Sequence, residues 1–319
     1  MTCYYPIKAY DLGEKHPSGK RKLSFKLPAM HRHRSYESIP LPCGKCVGCQ
    51  ADTTDGWAVR CVHESRYHKH AFFITLTYDD DHVPTDMSLN NRDYQTFLKR
   101  LRHHAKGCDL RYLLCGEYGG RTQRPHYHAI LFGVPLDGKP IGKSEAGHDM
   151  YRDPGLEECW GQGFANFGEF NLGTARYVAK YVTKKKYGRE ADEPDPVTGL
   201  THYQRINWAT GEIVDVKPEF VRASTKPAIG LRWFEEYGIQ DLYNSGDFVI
   251  LEGQRFKVPR YYDRLLERTD PDYFASIKAK RTEAATEPHP DRTPERLHDR
   301  SEAIKYRMKK RAGYERAQN

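Results

Sequence analysis

Two histidines flank a tyrosine in "RPHYHAILFG", which runs from Arg124 to Gly133. Successive side chains of a β-strand alternate faces, so His126 and His128 point one way and Tyr127 points the other. Two imidazoles on one face can share a single divalent metal ion, while Tyr127 anchors in a core behind the sheet. Two further His-x-His pairs, His31–His33 and His68–His70, have charged central residues, Arg32 and Lys69, which suit that anchoring poorly. Glu117 lies just upstream of His126, on the far side of an expected turn. One carboxylate and two imidazoles with open positions suit Mg²⁺ or Mn²⁺ that must also hold a phosphate oxygen. Without a metal, Glu117 would cap the turn or pair with Arg121 or Arg124.

A second group lies in "GTARYVAKYVTKKKYG", from Gly173 to Gly188. At 100° per residue, Tyr177, Tyr181 and Lys184 fall within about 60° of one another on a helix, with Lys180 beside them. Ala175, Val178 and Val182 occupy a different face, so apolar burial does not require the tyrosines. A tyrosine hydroxyl can attack a phosphodiester to give a covalent 5′-phosphotyrosine and a free 3′-OH. The divalent cation would polarise the phosphate, and the lysines would ease loss of the phenolic proton, whose reference pKa is near 10. Two phenols on one face allow alternation, one holding a DNA end while the other cleaves.

Such chemistry needs a rigid frame. "AFFITLTY" (Ala71 to Tyr78) reads as a strand, and "NRDYQTFLKRLRHHAKG" as an amphipathic helix with Tyr94, Phe97, Leu98 and Leu101 at i, i+3, i+4 and i+7. "LRYLLCGEYG" and "HYHAILFG" form the two strands of a hairpin, so an antiparallel sheet is expected. Residues 134–163 read as a long loop, and Thr174 as the N-cap of the tyrosine helix. "YQRINWATGEIVDV" and "DFVILEGQRFKVPRYY" each read as a hairpin, "GLRWFEEYG" between them as a short helix, and "RSEAIKYRMKKRAGYER" as a basic helix. The implied division is 1–66, irregular with a cysteine cluster; 67–235, the core; 236–270, a hairpin extension; and 271–319, a basic tail.

"FFITLTY", "CGEYGGRTQRPHYHAILFG" and "YVAKYVTKK" resemble, in that order, the three motifs of HUH-type rolling-circle replication initiators. The similarity is greatest to the initiators of microviruses, small single-stranded-DNA phages, in their gokushovirus branch. "PCGKCVGCQ" and "WAVRC" resemble the same branch, and the similarity covers roughly residues 41–186. It implies an α+β fold with a central antiparallel sheet flanked by helices, His126 and His128 as the metal pair with Glu117 as third ligand, and Tyr177 and Tyr181 as nucleophiles. Lys180 and Lys184 match the motif's lysines. Histidines before tyrosines fit Rep-type initiators rather than relaxases. Implied partners are single-stranded and replicative-form phage DNA at the origin, with host helicase and polymerase, in the host bacterial cytoplasm. One departure stands out: "QADTTDG" is acidic and turn-like where relatives carry a basic, helical-looking segment.

The formal net charge is +8, with 17 Lys/Arg against 11 Asp/Glu from Arg255 onward, a balance that suits a polyanion. No apolar run approaches the roughly 20 residues that cross a bilayer, and the first residues lack the apolar core of a secretory signal. The eight cysteines are then expected as thiols or metal ligands. Cys43, Cys46, Cys49 and Cys61 have a spacing that resembles a structural zinc or iron–sulfur site, the alternative being reduced thiols in a Gly-rich turn. Two other functions compete with the initiator: a non-catalytic zinc-containing nucleic-acid-binding protein, and an HUH transposase.

Overall fold

A computed structural model describes residues 3–17, 21–26, 38–120, 122–144, 147–287 and 289–317. His31, His33 and Arg121 lie outside the described residues. The N-terminal part carries three short strands, β1 (Ile7–Lys15), β2 (Arg21–Ser24) and β3 (Ser38–Leu41), paired antiparallel in the order β2-β1-β3. They are followed by a 19-residue helix, α1 (Val47–Ser65).

Both features correct the expectation of an irregular segment, and "QADTTDG" is helical rather than a turn. Threonine, aspartate and glycine there are poor helix formers, which hides α1 from its local sequence. Tertiary burial overrides them: Ala58, Val59, Cys61, His63 and Glu64 in the second half are all buried.

The main sheet follows. It is assembled from β4 (Ala71–Tyr78), then helix α2 (Asn91–His104), β5 (Arg111–Tyr118), β6 (Pro125–Phe132), β7 (Lys139–Lys143), β8 (Asp149–Arg152), helix α3 (Pro154–Trp160) and β9 (Gly163–Glu169). After it come the tyrosine helix α4 (Leu172–Lys180), a one-turn α5 (Arg189–Asp192), the hairpin β10 (Gln204–Ile206) and β11 (Ile213–Asp215), and β12 (Phe220–Ala223). The seven strands lie in the order β12-β5-β6-β4-β9-β8-β7, every neighbour antiparallel. The α+β architecture with a central antiparallel sheet flanked by helices is thus observed.

The stretch read as a long loop, 134–163, instead holds β7, β8 and α3. Its Asp153-Pro154-Gly155 is a helix start: Asp153 caps by accepting from the Leu156 N–H at 2.9 Å, and Pro154 occupies the first turn, where no N–H is needed.

One sheet face carries the core. Ile74, Leu76 and Tyr78 of β4, Leu114 of β5, Tyr127, Ala129 and Leu131 of β6, and Ala165 and Phe167 of β9 pack with α2 and α3. The α2 contribution is Tyr94, Phe97, Leu98 and Leu101, as its period requires, and α3 adds Leu156, Cys159 and Trp160. Gly116 must be glycine because the Phe220 ring crosses it: a Cβ there would stand 2.9 Å from the Phe220 ring edge.

The chain ends with α6 (Leu231–Trp233), which runs into a π-helix (Phe234–Asn244), then the hairpin β13 (Phe248–Leu251) and β14 (Gln254–Lys257), and helices α7 (Arg260–Thr269), α8 (Pro271–Thr286) and α9 (Pro294–Ala317). Two compact units result: Thr53–Thr269, built on the large sheet, and a unit formed by Met1–Asp52 with Asp270–Asn319. No helix among the described residues is long and apolar enough to cross a membrane.

Within the larger unit, α1 buries two ionisable groups. His63 stacks on Trp233 with ring centroids 3.4 Å apart and hydrogen-bonds the Tyr262 hydroxyl at 2.9 Å. Burial, and then Arg66, pulls the His63 pKa down to about 3. Glu64 is also buried, yet His68, the Gly230 N–H and Arg111 hold its carboxyl below the usual range. This ion pair absorbs His68, which therefore does not act in concert with His70.

Both shifts run downward, so both contributions are present at neutral pH and are lost on acidification. For His63 the loss spans the interval from about 6.5 down towards 3, and stability should fall there by up to about 1.4 kcal/mol per pH unit. Denaturant midpoints measured between pH 7 and 4 test this, with His63→Asn flattening the profile. A wild-type profile that is already flat would contradict it.

Candidate active site

The hairpin β5–β6 sets the first three residues in place. Its register pairs Glu117 directly with His126 and Cys115 with His128. Directly opposed residues share a face, so Glu117, His126 and His128 converge on the side away from the aromatic core. Tyr127 points oppositely and is fully buried, donating to the Asn90 carbonyl at 2.8 Å and lying 3.0 Å from the Tyr78 hydroxyl. The alternation read from "HYH" is therefore the one the sheet builds.

Glu117 Oε1 lies 2.8 Å from His126 Nε2 and 3.1 Å from His128 Nε2. The ligand atoms of these three residues all lie within 4.8 Å of one another. Arg124 does not compete for Glu117; it donates to Asp80 at 2.7 Å and to the Tyr78 carbonyl at 3.0 Å. Glu117 Oε2 instead accepts from Lys184 Nζ at 2.6 Å. Burial alone would raise the Glu117 pKa, but hydrogen bonds from His126, His128 and Lys184 outweigh it and hold the carboxyl far below its ordinary value. Burial pulls the His128 pKa down.

The hydrogen bonds behind the imidazoles bear on whether a metal fits. His126 Nδ1 is 3.1 Å from the Arg124 carbonyl, an acceptor only, so Nδ1 carries the proton. Nε2 then faces Glu117 with a lone pair unless a cation, either a proton or a metal ion, lies between them. His128 Nδ1 is held by the Thr75 hydroxyl at 3.0 Å, which likewise turns Nε2 inward. A carboxylate and two oriented imidazoles fit a divalent ion.

Thr75 sits in "FFITLTY" on the same face as the histidines, opposite His128. Its signal in the sequence is a hydroxyl of the right parity within a largely apolar strand. Removing it by Thr75→Val should weaken metal binding by roughly 10–100-fold. Calorimetric titration with Mn²⁺ checks this, and unchanged affinity would dismiss the Thr75 contact as incidental.

The tyrosines come from α4. Its N-cap is Asn171, not Thr174: Asn171 accepts from the Thr174 N–H at 2.9 Å while the Thr174 hydroxyl accepts from the Asn171 N–H at 2.9 Å. This reciprocal box makes Thr174 the third helical residue. Ala175, Val178 and Ala179 are buried beneath, which turns Tyr177 towards the histidines. The helix ends at Lys180 and tightens into a 3₁₀ turn, Tyr181–Thr183, rather than continuing to Gly188. The tighter turn still leaves Tyr177 and Tyr181 as neighbours, ring centroids 5.3 Å apart.

Tyr177 places its hydroxyl 3.5 Å from His128 Nε2, and Tyr181 stacks on the His128 ring at 5.7 Å. The two phenols differ in access: Tyr177 is 44% exposed and Tyr181 is 8% exposed. Burial, then Glu117 and Tyr177, push the Tyr181 phenol far above its ordinary pKa. Lys184 lies 5.0 Å above the Tyr181 ring, so it serves Glu117 and Tyr181 together. Lys180 is exposed at the end of α4. The structure thus gathers Glu117, His126, His128, Tyr177, Tyr181 and Lys184 in one place.

The acidic departure in α1 also finds a partner here. Asp55, from "QADTTDG", accepts from Arg176 at 2.7 Å and fastens α4 beside its nucleophile.

Known proteins share this stretch of chain. Residues 71–186, which include every residue of the site, match the family model for replication-associated proteins of the ORF2 type. The chain is 31% identical over 299 residues to replication-associated protein VP4 of Bdellovibrio phage phiMH2K, covering 89% of this chain and 84% of that one. It belongs to the replication-associated proteins of microvirus phages.

A second member, replication-associated protein ORF2 of Spiroplasma virus 4, is 31% identical over 307 residues, covering 89% of this chain and 87% of that one. Replication-associated protein ORF4 of Chlamydia phage 1 is 28% identical, covering 81% of this chain and 62% of that one. No solved structure matches the chain. Membership gives this replication-associated protein a role in phage replication.

Sequence spacing groups Cys61 with Cys43, Cys46 and Cys49, and the structure corrects this. The fourth thiol of that group is Cys3. Cys61 is fully buried near the end of α1, and twelve residues of helix separate it from Cys49 by roughly 18 Å. Spacing cannot reveal Cys3, because its approach depends on how the residues before β1 fold back.

Proposed function

We propose that this protein nicks and rejoins single-stranded DNA at the phage origin through a covalent tyrosine adduct, initiating rolling-circle replication. One observation supports this reading most: the exposed Tyr177 hydroxyl stands 3.5 Å from His128 Nε2, beside the converged Glu117 and His126. A nucleophile and an electrophile-orienting group at this separation form the minimum set for phosphoryl transfer.

Glu117, His126 and His128 would hold a divalent ion, Mg²⁺ or Mn²⁺, which when bound supplies Lewis-acid polarisation of the scissile phosphate. The protein's own groups do the rest. The Tyr177 oxygen attacks phosphorus and gives up its proton to solvent, to which it is open. A new tyrosyl–phosphorus bond forms, the bond from phosphorus to the 3′ oxygen breaks, and that oxygen leaves as a 3′-OH after taking up a proton. Rejoining is the reverse, a 3′-OH displacing the tyrosine. Lys184 holds Glu117 ionised and fixes its second oxygen. Lys180, at the exposed end of α4, would contact backbone phosphate. Tyr181 would serve the second cleavage once it is uncovered. The DNA is phage single-stranded and replicative-form DNA, handed on to host helicase and polymerase in the bacterial cytoplasm.

The test is direct. Labelled origin DNA incubated with the full chain and Mn²⁺ should yield a species that survives SDS, and peptide mass spectrometry should place the nucleotide on Tyr177. Absence of an adduct with every divalent metal and candidate origin would reject this function.

A further inference from the structure

The smaller unit holds a feature that replication chemistry does not use. Cys3 and Cys43 are brought together, the Cys43 N–H donating to Cys3 Sγ at 3.2 Å, and Cys46 and Cys49 complete a group of four. The four sulfurs all lie within 4.8 Å of one another; Cys3 and Cys46 are 3.9 Å apart, and Cys43 and Cys49 are 4.0 Å apart. A disulfide needs sulfurs at about 2.05 Å, so these pairs are not bonded to each other. Four thiolates around one tetrahedral ion with metal–sulfur distances of about 2.3 Å have neighbouring sulfurs roughly 3.8 Å apart. The observed separations meet that geometry.

We propose that Cys3, Cys43, Cys46 and Cys49 are the four ligands of a single structural zinc ion.

The backbone around the sulfurs supports this assignment. Cys43-Gly44-Lys45-Cys46 is a tight turn that Gly44 permits by adopting φ +75°. Within it the Cys46 N–H donates to Cys43 Sγ at 3.3 Å, and the Tyr4 N–H donates to Cys46 Sγ at 3.4 Å. Donors aimed at sulfur stabilise thiolate charge, as outer-shell contacts do at metal sites. Cys46 immediately precedes α1 and Cys49 lies in its first turn, where the helix presents its positive end. One zinc with four thiolates carries a net charge of −2, and Lys305 of α9 is within electrostatic reach of Cys46.

A polynuclear iron–sulfur cluster spreads its thiolates over two or more irons, whereas here all four sulfurs surround one point. Four ligands leave no open position, so the site is structural rather than catalytic.

The consequence lies in what the ion joins. Cys3 precedes β1, while Cys43, Cys46 and Cys49 follow β3, so the metal closes the three-stranded sheet into a loop at its open end. Tyr5, two residues from a ligand, meets His298 of α9 at 3.3 Å and lies 5.9 Å beneath Lys305. Zinc would therefore hold the N-terminal segment in the position that receives α9.

Metal content of the purified full chain, by elemental mass spectrometry, is the first test; one zinc per chain is expected. Cys3→Ser should take zinc to near zero, whereas Cys61→Ala should retain it in full. Loss of zinc from Cys61→Ala with retention in Cys3→Ser would overturn the ligand set. A wild-type chain that carries iron, or that takes up neither Zn²⁺ nor Co²⁺, would overturn the assignment altogether. Should Cys3→Ser fail to fold, X-ray absorption at the zinc edge of the wild-type chain decides: four sulfur neighbours at about 2.3 Å support the site, and any nitrogen or oxygen neighbour refutes it.

Discussion

Tyr177→Phe is expected to abolish covalent attachment to single-stranded DNA, lowering cleavage by at least roughly 10⁴-fold, the scale on which loss of a covalent nucleophile falls. Tyr181→Phe is expected to leave the first cleavage close to the wild-type rate and to impair the subsequent transfer. The asymmetry comes from access, not from sequence, where the two residues are equivalent. Tyr177 is open to solvent at 44% with its hydroxyl at the histidine pair, whereas Tyr181 is 8% exposed and stacked on the His128 ring. A phosphodiester can reach the first without rearrangement; the second needs the stack to open.

Phenylalanine suits both tests because it keeps each ring. The contact of Tyr177 with Phe73 at 5.7 Å and that of Tyr181 with His128 survive the substitution, so folding is preserved and only the oxygen is lost. SDS-resistant adduct formed over time on an origin oligonucleotide, with a second oligonucleotide as acceptor, separates the steps. If Tyr177→Phe still forms adduct while Tyr181→Phe does not, the order of the two residues is reversed.

What is legible in the sequence, and what is not, follows from the range of the interactions involved. His126, His128 and Glu117 can be read because strand parity and hairpin register are short-range rules, and the β5–β6 pairing realises them. The four core residues of α2 can be read for the same reason, a fixed helical period. Helix α1 cannot: its threonines, aspartates and glycine favour other conformations, and only contacts with distant segments such as Trp233 and Tyr262 stabilise it. Lys184 can be named but not explained, since its partner Glu117 lies 67 positions away in the chain. Cys3 is invisible for a like reason, lying 40 positions from Cys43 and in no motif with it. Asp55 looks in the sequence like a loss of DNA contact and proves to be the counter-ion of Arg176 on the nucleophile helix.

Glu117→Gln should have the other large effect. The substitution preserves shape and removes charge, and charge is what the surrounding groups require. In the wild-type protein one buried carboxylate accepts from Lys184 on one oxygen and faces both histidine Nε2 atoms on the other. An amide can accept from Lys184 or face the imidazoles, but it cannot offset a divalent ion and an ammonium together. Affinity for Mn²⁺ is therefore expected to fall by about 10²-fold or more, the upper end of the loss seen when only an outer-shell partner is removed. Cleavage at low metal should drop to background and recover in part at high Mn²⁺. Binding of single-stranded DNA in the absence of metal should be unaffected, since backbone phosphates are held by cationic side chains elsewhere. Titrating cleavage against Mn²⁺ for both proteins, alongside metal-free DNA binding, distinguishes loss of the ion from loss of the fold. A Glu117→Gln protein that cleaves at the wild-type metal concentration would show that the carboxylate serves Lys184 alone and that the two imidazoles hold the ion without it.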